Sequence, residues 1–126
     1  MAHDLFRVAI VGAGETGTPL LRQLLDAPFV RLLGVADLDA DAPGMTLARA
    51  RGVTTTTDFR ELARLGSDLD ILIDVTGVAA VREALRQEMQ DTDNHHTLIV
   101  HEKVVQLMLS LLAGSLVTLK HGAQDY

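Results

Sequence analysis

Leu5-Phe6-Arg7-Val8-Ala9-Ile10-Val11-Gly12-Ala13-Gly14-Glu15-Thr16-Gly17 is an apolar run of strand length that leads directly into a GxGxxG turn. Beyond the turn Leu20, Leu21, Leu24 and Leu25 recur at helical spacing. Asp37 stands twenty positions after Gly17, closing a second apolar run from Val30 to Ala36. A bare GxGxxG is common. A strand before it, a helix after it and an acid at this distance together make it the fingerprint of a dinucleotide-binding βαβ unit.

Each residue type in the turn has a chemical reason. Gly12 is expected to permit the tight passage from strand to helix, and Gly14 to let bare backbone approach a pyrophosphate. Gly17 is expected to let the helix pack closely on the strands. Free amides of the first helical turn, reinforced by the helix dipole, face the phosphates, and Pro19 falls where a missing N–H costs little. The expected cradle is Gly12, Ala13, Gly14, Glu15, Thr16 and Gly17, with the acidic Glu15 side chain turned to solvent. Asp37 is predicted to accept hydrogen bonds from the adenosine ribose and to repel a 2′-phosphate. Leu38-Asp39 offers no arginine to receive one, so NAD is expected in preference to NADP. Two other readings of the loop stay open. One is a glycine-rich turn with no ligand, and the other is a different nucleotide-containing ligand such as S-adenosylmethionine or coenzyme A.

Composition narrows the function classes. At 126 residues, 48% of them hydrophobic, the chain fits one domain spanning 1–126 with a real core. Eleven basic against 17 acidic residues give a net charge of −6, which opposes non-specific nucleic-acid binding. Aromatics at 3% are too few for base-stacking platforms. The absence of cysteine excludes disulfides, thiolate nucleophiles and cysteine-ligated metals, and makes the cytoplasm the expected setting. Met1-Ala2-His3-Asp4 shows neither the charged nor the apolar region of a signal peptide. Val104 to Leu119 is largely apolar but shorter than the roughly 20 residues a membrane span needs, and Gly114-Ser115 resembles a helix stop.

Strand and helix patterns alternate, which predicts an α/β fold. We expect a Rossmann-type, doubly wound parallel sheet of five or six strands, ordered 3-2-1-4-5-6. Strands are expected near 5–11, 30–36, 53–55, 69–75 and 97–100, with a sixth possible at 115–119. Helices are expected near 15–26, 41–51, 78–90 and from 102 onward, and Asp58 with Glu61 forms a capping box for a short helix to about Leu65. In the last helix Glu102, Lys103, Gln106 and Ser110 form one narrow polar stripe, and apolar residues cover the remaining circumference. A helix lying on an open sheet hides only one face, so apolar surface is left over, and a homodimer through this helix is expected.

The chain resembles the NAD-binding domain of the glucose-fructose oxidoreductase / inositol dehydrogenase / MocA family. The likeness runs through Val8-Ala9-Ile10-Val11-Gly12-Ala13-Gly14 and Leu33-Gly34-Val35-Ala36-Asp37. It continues through Thr57-Asp58-Phe59-Arg60-Glu61-Leu62 and Asp70-Ile71-Leu72-Ile73-Asp74 to Glu102-Lys103. The resemblance implies that Thr76 and Gly77 approach the nicotinamide half of the cofactor. It also makes Lys103 a weak candidate for assisting proton transfer. That family carries proline where this chain has Val104, and its second, substrate-binding domain has no counterpart in the twenty or so residues after 105.

Other constellations lead nowhere catalytic. His95 and His96 follow Asp91, Asp93 and Asn94, yet no ligand spacing on a helix appears, and a solvated loop with no metal is expected. His101 lies at the carboxyl end of a strand, where open α/β sheets place ligands. Asp74 is read as a capping or ribose-side acceptor rather than a catalytic acid. Two functions compete: a module that binds or senses NAD(H), or regulates a partner, and an NAD-dependent oxidoreductase domain whose substrate site is completed by a dimer mate or another chain.

Overall fold

The structure is a computed structural model and describes residues 5–15 and 17–118. Five strands form one parallel sheet: β1 (Phe6–Val11), β2 (Val30–Ala36), β3 (Thr55–Thr56), β4 (Ile71–Asp74) and β5 (Leu98–His101). Their order is β3-β2-β1-β4-β5. The expected doubly wound sheet is therefore present, with β1 at its centre. The apolar runs that read as strands are buried from both sides, which is why they lack alternation. Val8, Ala9, Ile10 and Val11 are all buried.

Five helices cover the sheet: α1 (Gly17–Asp26), α2 (Pro43–Ala50), α3 (Arg60–Ala63), α4 (Ala79–Asp91) and α5 (Glu102–Ala113). The buried residues divide into two clusters, one for each face. Leu62 of α3 and Val81, Leu85 and Met89 of α4 pack on Ala9, Val11 and Leu72. Leu21 of α1, Met45 and Ala48 of α2 and Val105 of α5 pack on Ile10 and Val35. The register sets the rim that matters for function. Val11, at the end of β1, pairs with Ala36 on one side and Asp74 on the other, and Asp74 pairs with His101. The glycine turn thus leaves the sheet between Asp37 and Asp74.

Two expectations are corrected. Residues 115–118 form no strand, and Leu119 lies outside the described residues. After Gly114, whose φ of 75° turns the chain, Val117 is held on α5 instead. Its amide donates to Ser110 Oγ (2.9 Å) and its carbonyl accepts from Gln106 Nε2 (3.0 Å). Those bonds take the backbone groups that a sixth strand would have offered to β5. The capping box is only half made. Phe59 already has helical φ/ψ, and Asp58 Oδ1 caps the helix by accepting the Arg60 amide (3.0 Å), but the Asp58 amide donates to Thr56 Oγ1 (3.0 Å) and not to Glu61.

Candidate functional site

The loop after β1 is held from three directions. Gly12 N donates to Ala36 O (2.8 Å), tying the turn to β2. Ala13 N donates to Asp37 Oδ2 (2.8 Å), across 24 residues of sequence. Ala13 O accepts from Gly44 N at the start of α2 (2.8 Å) and from Thr18 Oγ1 (3.1 Å). Gly14 O accepts from Thr18 N (3.0 Å) and Thr18 Oγ1 (2.7 Å). Both polar atoms of the buried Ala13 peptide are thereby used, and the loop conformation is set without a ligand.

The glycines at either end of this turn touch each other. Gly12 has a φ of +107°, which side-chain-bearing residues rarely adopt, and a Cβ there would lie 2.9 Å from Val75 Cγ2. A Cβ on Gly17 would run into the Gly12 carbonyl. This is the close helix–strand approach expected of Gly17. Gly14 is half-buried, Glu15 is exposed as expected, and Thr16 lies outside the described residues.

Asp37 differs from a simple surface acceptor. It is only 3% exposed, and while Oδ2 receives Ala13 N, Oδ1 receives Asp39 N (2.9 Å). Its carboxylate first organises the loop, and a sugar hydroxyl would meet only the lone pairs left over. Leu38 beside it is exposed. Gly44, which grips Ala13 from α2, was missed by sequence reasoning. The Ala42-Pro43-Gly44 helix start was legible, but nothing local says that its amide reaches the loop.

The opposite half of the rim holds a second polar cluster. Asp74 is 2% exposed. Its Oδ1 accepts from Thr76 N (3.0 Å) and Thr76 Oγ1 (2.7 Å), and its Oδ2 lies 3.2 Å from His101 Nδ1. An ionised Asp74 can only accept, so this contact assigns the imidazole proton to Nδ1. Thr76 Oγ1 in turn accepts from Val78 N (3.2 Å), which orders the turn containing Gly77 (φ 69°). Asp74 is therefore a local organiser of its own turn and not a helix cap, since α4 begins only at Ala79 and its cap residue Val78 receives no side-chain bond. Lys103 is exposed in the first turn of α5, and among the described residues it forms no ion pair.

The sheet thus gathers Gly12–Glu15 and Gly17, Asp37 and Leu38, Thr76 and Gly77, and Lys103 along the carboxyl ends of its strands, where open α/β sheets bind ligands. His95 and His96 lie away from that rim. His95 Nε2 is 2.9 Å from Asp93 and solvent-exposed, and His96 Nε2 is 2.8 Å from Asp70, whose strand end is the amino one. Among the described residues no group of three or more His, Cys, Asp or Glu side chains could hold a metal ion. None of the described helices is long and apolar enough to cross a membrane.

Residues 12–100 match the family described as "Homoserine dehydrogenase, NAD binding domain". Acetaldehyde dehydrogenase 2 of Salinispora arenicola is 37% identical over 81 residues, covering 64% of this chain and 26% of the relative. This chain thus spans about a quarter of the length of that relative. Among solved structures, a myo-inositol dehydrogenase from Corynebacterium glutamicum superposes with a TM-score of 0.58 at 18% identity, over 77% of this chain and 27% of that one. GenD2 from gentamicin A biosynthesis, solved in complex with NAD, gives a TM-score of 0.56 at 22% identity over 78% and 34%. At these identities the structural likeness speaks for the fold alone.

Proposed function

The chain belongs to the homoserine dehydrogenase NAD-binding-domain family, and from that premise we propose that it holds NAD(H) along the carboxyl rim of its sheet as a binding or sensing module. The phosphates lie over Gly12, Ala13, Gly14, Glu15, Thr16 and Gly17. The adenosine ribose lies beside Asp37 and Leu38, and the nicotinamide half extends over Thr76 and Gly77 toward β5. The observation that carries this reading is the Ala13 peptide, fixed at both polar atoms by Asp37 and Gly44. A cradle already ordered by its own protein loses little freedom when a diphosphate arrives.

The residues present fit the coenzyme. The turn packs so tightly at Gly12 and Gly17 that no side chain fills it, and α1 opens directly behind it with its positive dipole end. When bound, NAD supplies a hydride acceptor and NADH a donor. This chain's own part is to bind, to orient and, through Asp37, to disfavour a 2′-phosphate. The narrower kinship with the glucose-fructose oxidoreductase / inositol dehydrogenase / MocA family rests on the motif runs and on Glu102-Lys103. A cytoplasmic setting rests on the cysteine-free composition.

A second reading has its own support. The Asp74–His101 pair and Lys103 stand at the nicotinamide end of the rim, where a proton would have to be given or taken if hydride moved. An oxidoreductase domain completed by another chain would use them. Calorimetric titration of the purified chain with NAD, NADH and NADP decides the main claim. We expect NAD(H) to bind and NADP to bind more weakly. A preference for NADP, or no dinucleotide binding at all, refutes the reading. Turnover on polyol, sugar or aldehyde panels that is lost in Lys103→Ala would move the assignment to the oxidoreductase.

A further inference from the structure

α1 and α5 lie on the same face of the sheet. A groove of about 390 Å³ runs between them, floored by Phe6, Val8, Ile71 and Ile73 and walled by Leu24 and Met108. Gln23 is the single polar side chain on its lining. The apolar surface continues beyond both walls. Phe6 meets Phe29 edge to face at 6.4 Å, and both are more than half exposed. On α5 and just after it Leu107, Leu111 (71%), Leu112 (78%) and Leu116 (78%) face outward.

We propose that this face is where a second copy of the chain docks, forming a two-fold homodimer built on α5. Phe6, Phe29, Val104, Leu107, Met108, Leu111, Leu112 and Leu116 together present on the order of 800 Å² of apolar surface, more than the roughly 300–600 Å² of the largest patch on a typical monomer. It equals the roughly 800 Å² that each partner buries in a standard interface. The Leu107–Leu111 ridge of α5 lies beside the groove, so one two-fold operation seats each ridge in the other copy's groove, as an isologous interface requires.

The chain carries a net charge of −6, and two copies repel wherever their acidity faces itself. No Asp or Glu lines this groove, so like charge does not oppose self-association on this apolar face. α5 begins at Glu102, beside His101 at the rim, and the interface helix is therefore rooted at the edge of the dinucleotide site. The inference goes beyond the dinucleotide reading and is tested without any dinucleotide.

Sedimentation equilibrium of the full 126-residue chain, from about 1 to 100 µM, should give twice the single-chain mass of 13.6 kDa. The double variant Leu111→Lys/Leu112→Lys should sediment as a single chain while keeping its far-UV circular dichroism. Because the chain has no cysteine, a single Leu111→Cys variant provides a second measure. It should oxidise to a linked pair far faster than Ala80→Cys, which sits exposed on α4 across the sheet. A wild-type chain that stays monomeric throughout leaves the face to an unlike protein or to residues 119–126, and overturns the proposal. So does a double variant that remains dimeric, or equal crosslinking at positions 111 and 80.

Discussion

At the scale of single residues, the Ala13 peptide is the centre of the proposed site, and Asp37 is its anchor. The carboxylate is buried and accepts two amides. Asp37→Ala would strand the Ala13 N–H in a dry environment, and a buried donor without a partner costs about 1–3 kcal/mol. We therefore expect Asp37→Ala to lose about 2 kcal/mol in urea denaturation as well as dinucleotide affinity, with Asp37→Asn milder because its carbonyl can still accept one amide. A stability loss below about 0.5 kcal/mol, the range of ordinary surface changes, would show that the tie carries nothing. Gly14→Val separates binding from folding. Gly14 lies on the half-buried surface of the turn, so valine there should block a diphosphate and abolish NADH binding while leaving the circular dichroism unchanged. Unaltered affinity in that variant would move the phosphates elsewhere.

At the scale of elements, the amino end of the sheet is fastened by a charge cluster that the site does not use. Arg7 of β1 donates to Asp70 through Nε (3.2 Å) and Nη2 (3.0 Å), and its amide donates to Asp70 Oδ2 (3.0 Å). His96, entering β5, approaches Asp70 Oδ1 at 2.8 Å. The Arg7 guanidinium, together with the Arg7 amide and His96, holds the Asp70 carboxyl well below the usual carboxylate range. A carboxylate with a depressed folded value stabilises the protein above its unfolded value, near 4. It loses that contribution as the pH falls through the folded value. Asp70→Asn should therefore narrow its stability gap to wild type as the pH drops below about 5, measured by denaturant midpoints. A gap that stays constant from neutrality to acid would contradict the assignment of Asp70 as the fastener of β1 and β4.

The sixth strand failed at this same scale. Its apolar residues suited an edge strand, but the left-handed turn at Gly114 sends the chain back onto α5, where Gln106 and Ser110 satisfy Val117. Likewise Asp58 and Glu61 have capping-box spacing and the Asp58 side chain does cap, yet its own amide meets Thr56 Oγ1 instead of Glu61. Both misses come from hydrogen-bond competition that local spacing cannot rank.

At the scale of the whole molecule, binding and folding are linked. A ligand that binds only the folded chain adds about 2.7 kcal/mol at a hundredfold excess over its dissociation constant. For a chain of this size that corresponds to a rise in melting temperature on the order of 10 °C. We expect NADH to produce that rise in wild type, NADP to produce less, and Gly14→Val to show none. An NADH-independent melting temperature in wild type would contradict the proposed binding.

Sequence alone settled the alternation of strand and helix, the parallel order around β1 and the position of the glycine turn, because hydrophobic periodicity and Gly/Asp spacing are local and each strand's burial is written in its composition. The unsatisfied apolar stripe of α5 was legible for the same reason. Tertiary structure alone decided that Asp37 ties down Ala13, that Gly44 grips the same peptide from α2, and that Asp74 meets His101 across neighbouring strands. Those contacts join residues about 25 to 30 positions apart, and only the register of the sheet and the packing of α2 bring their polar atoms within hydrogen-bonding reach. Whether α1 and α5 close over the sheet or leave a groove was decided there too, since it depends on how far apart two helices settle and not on the pattern of either one.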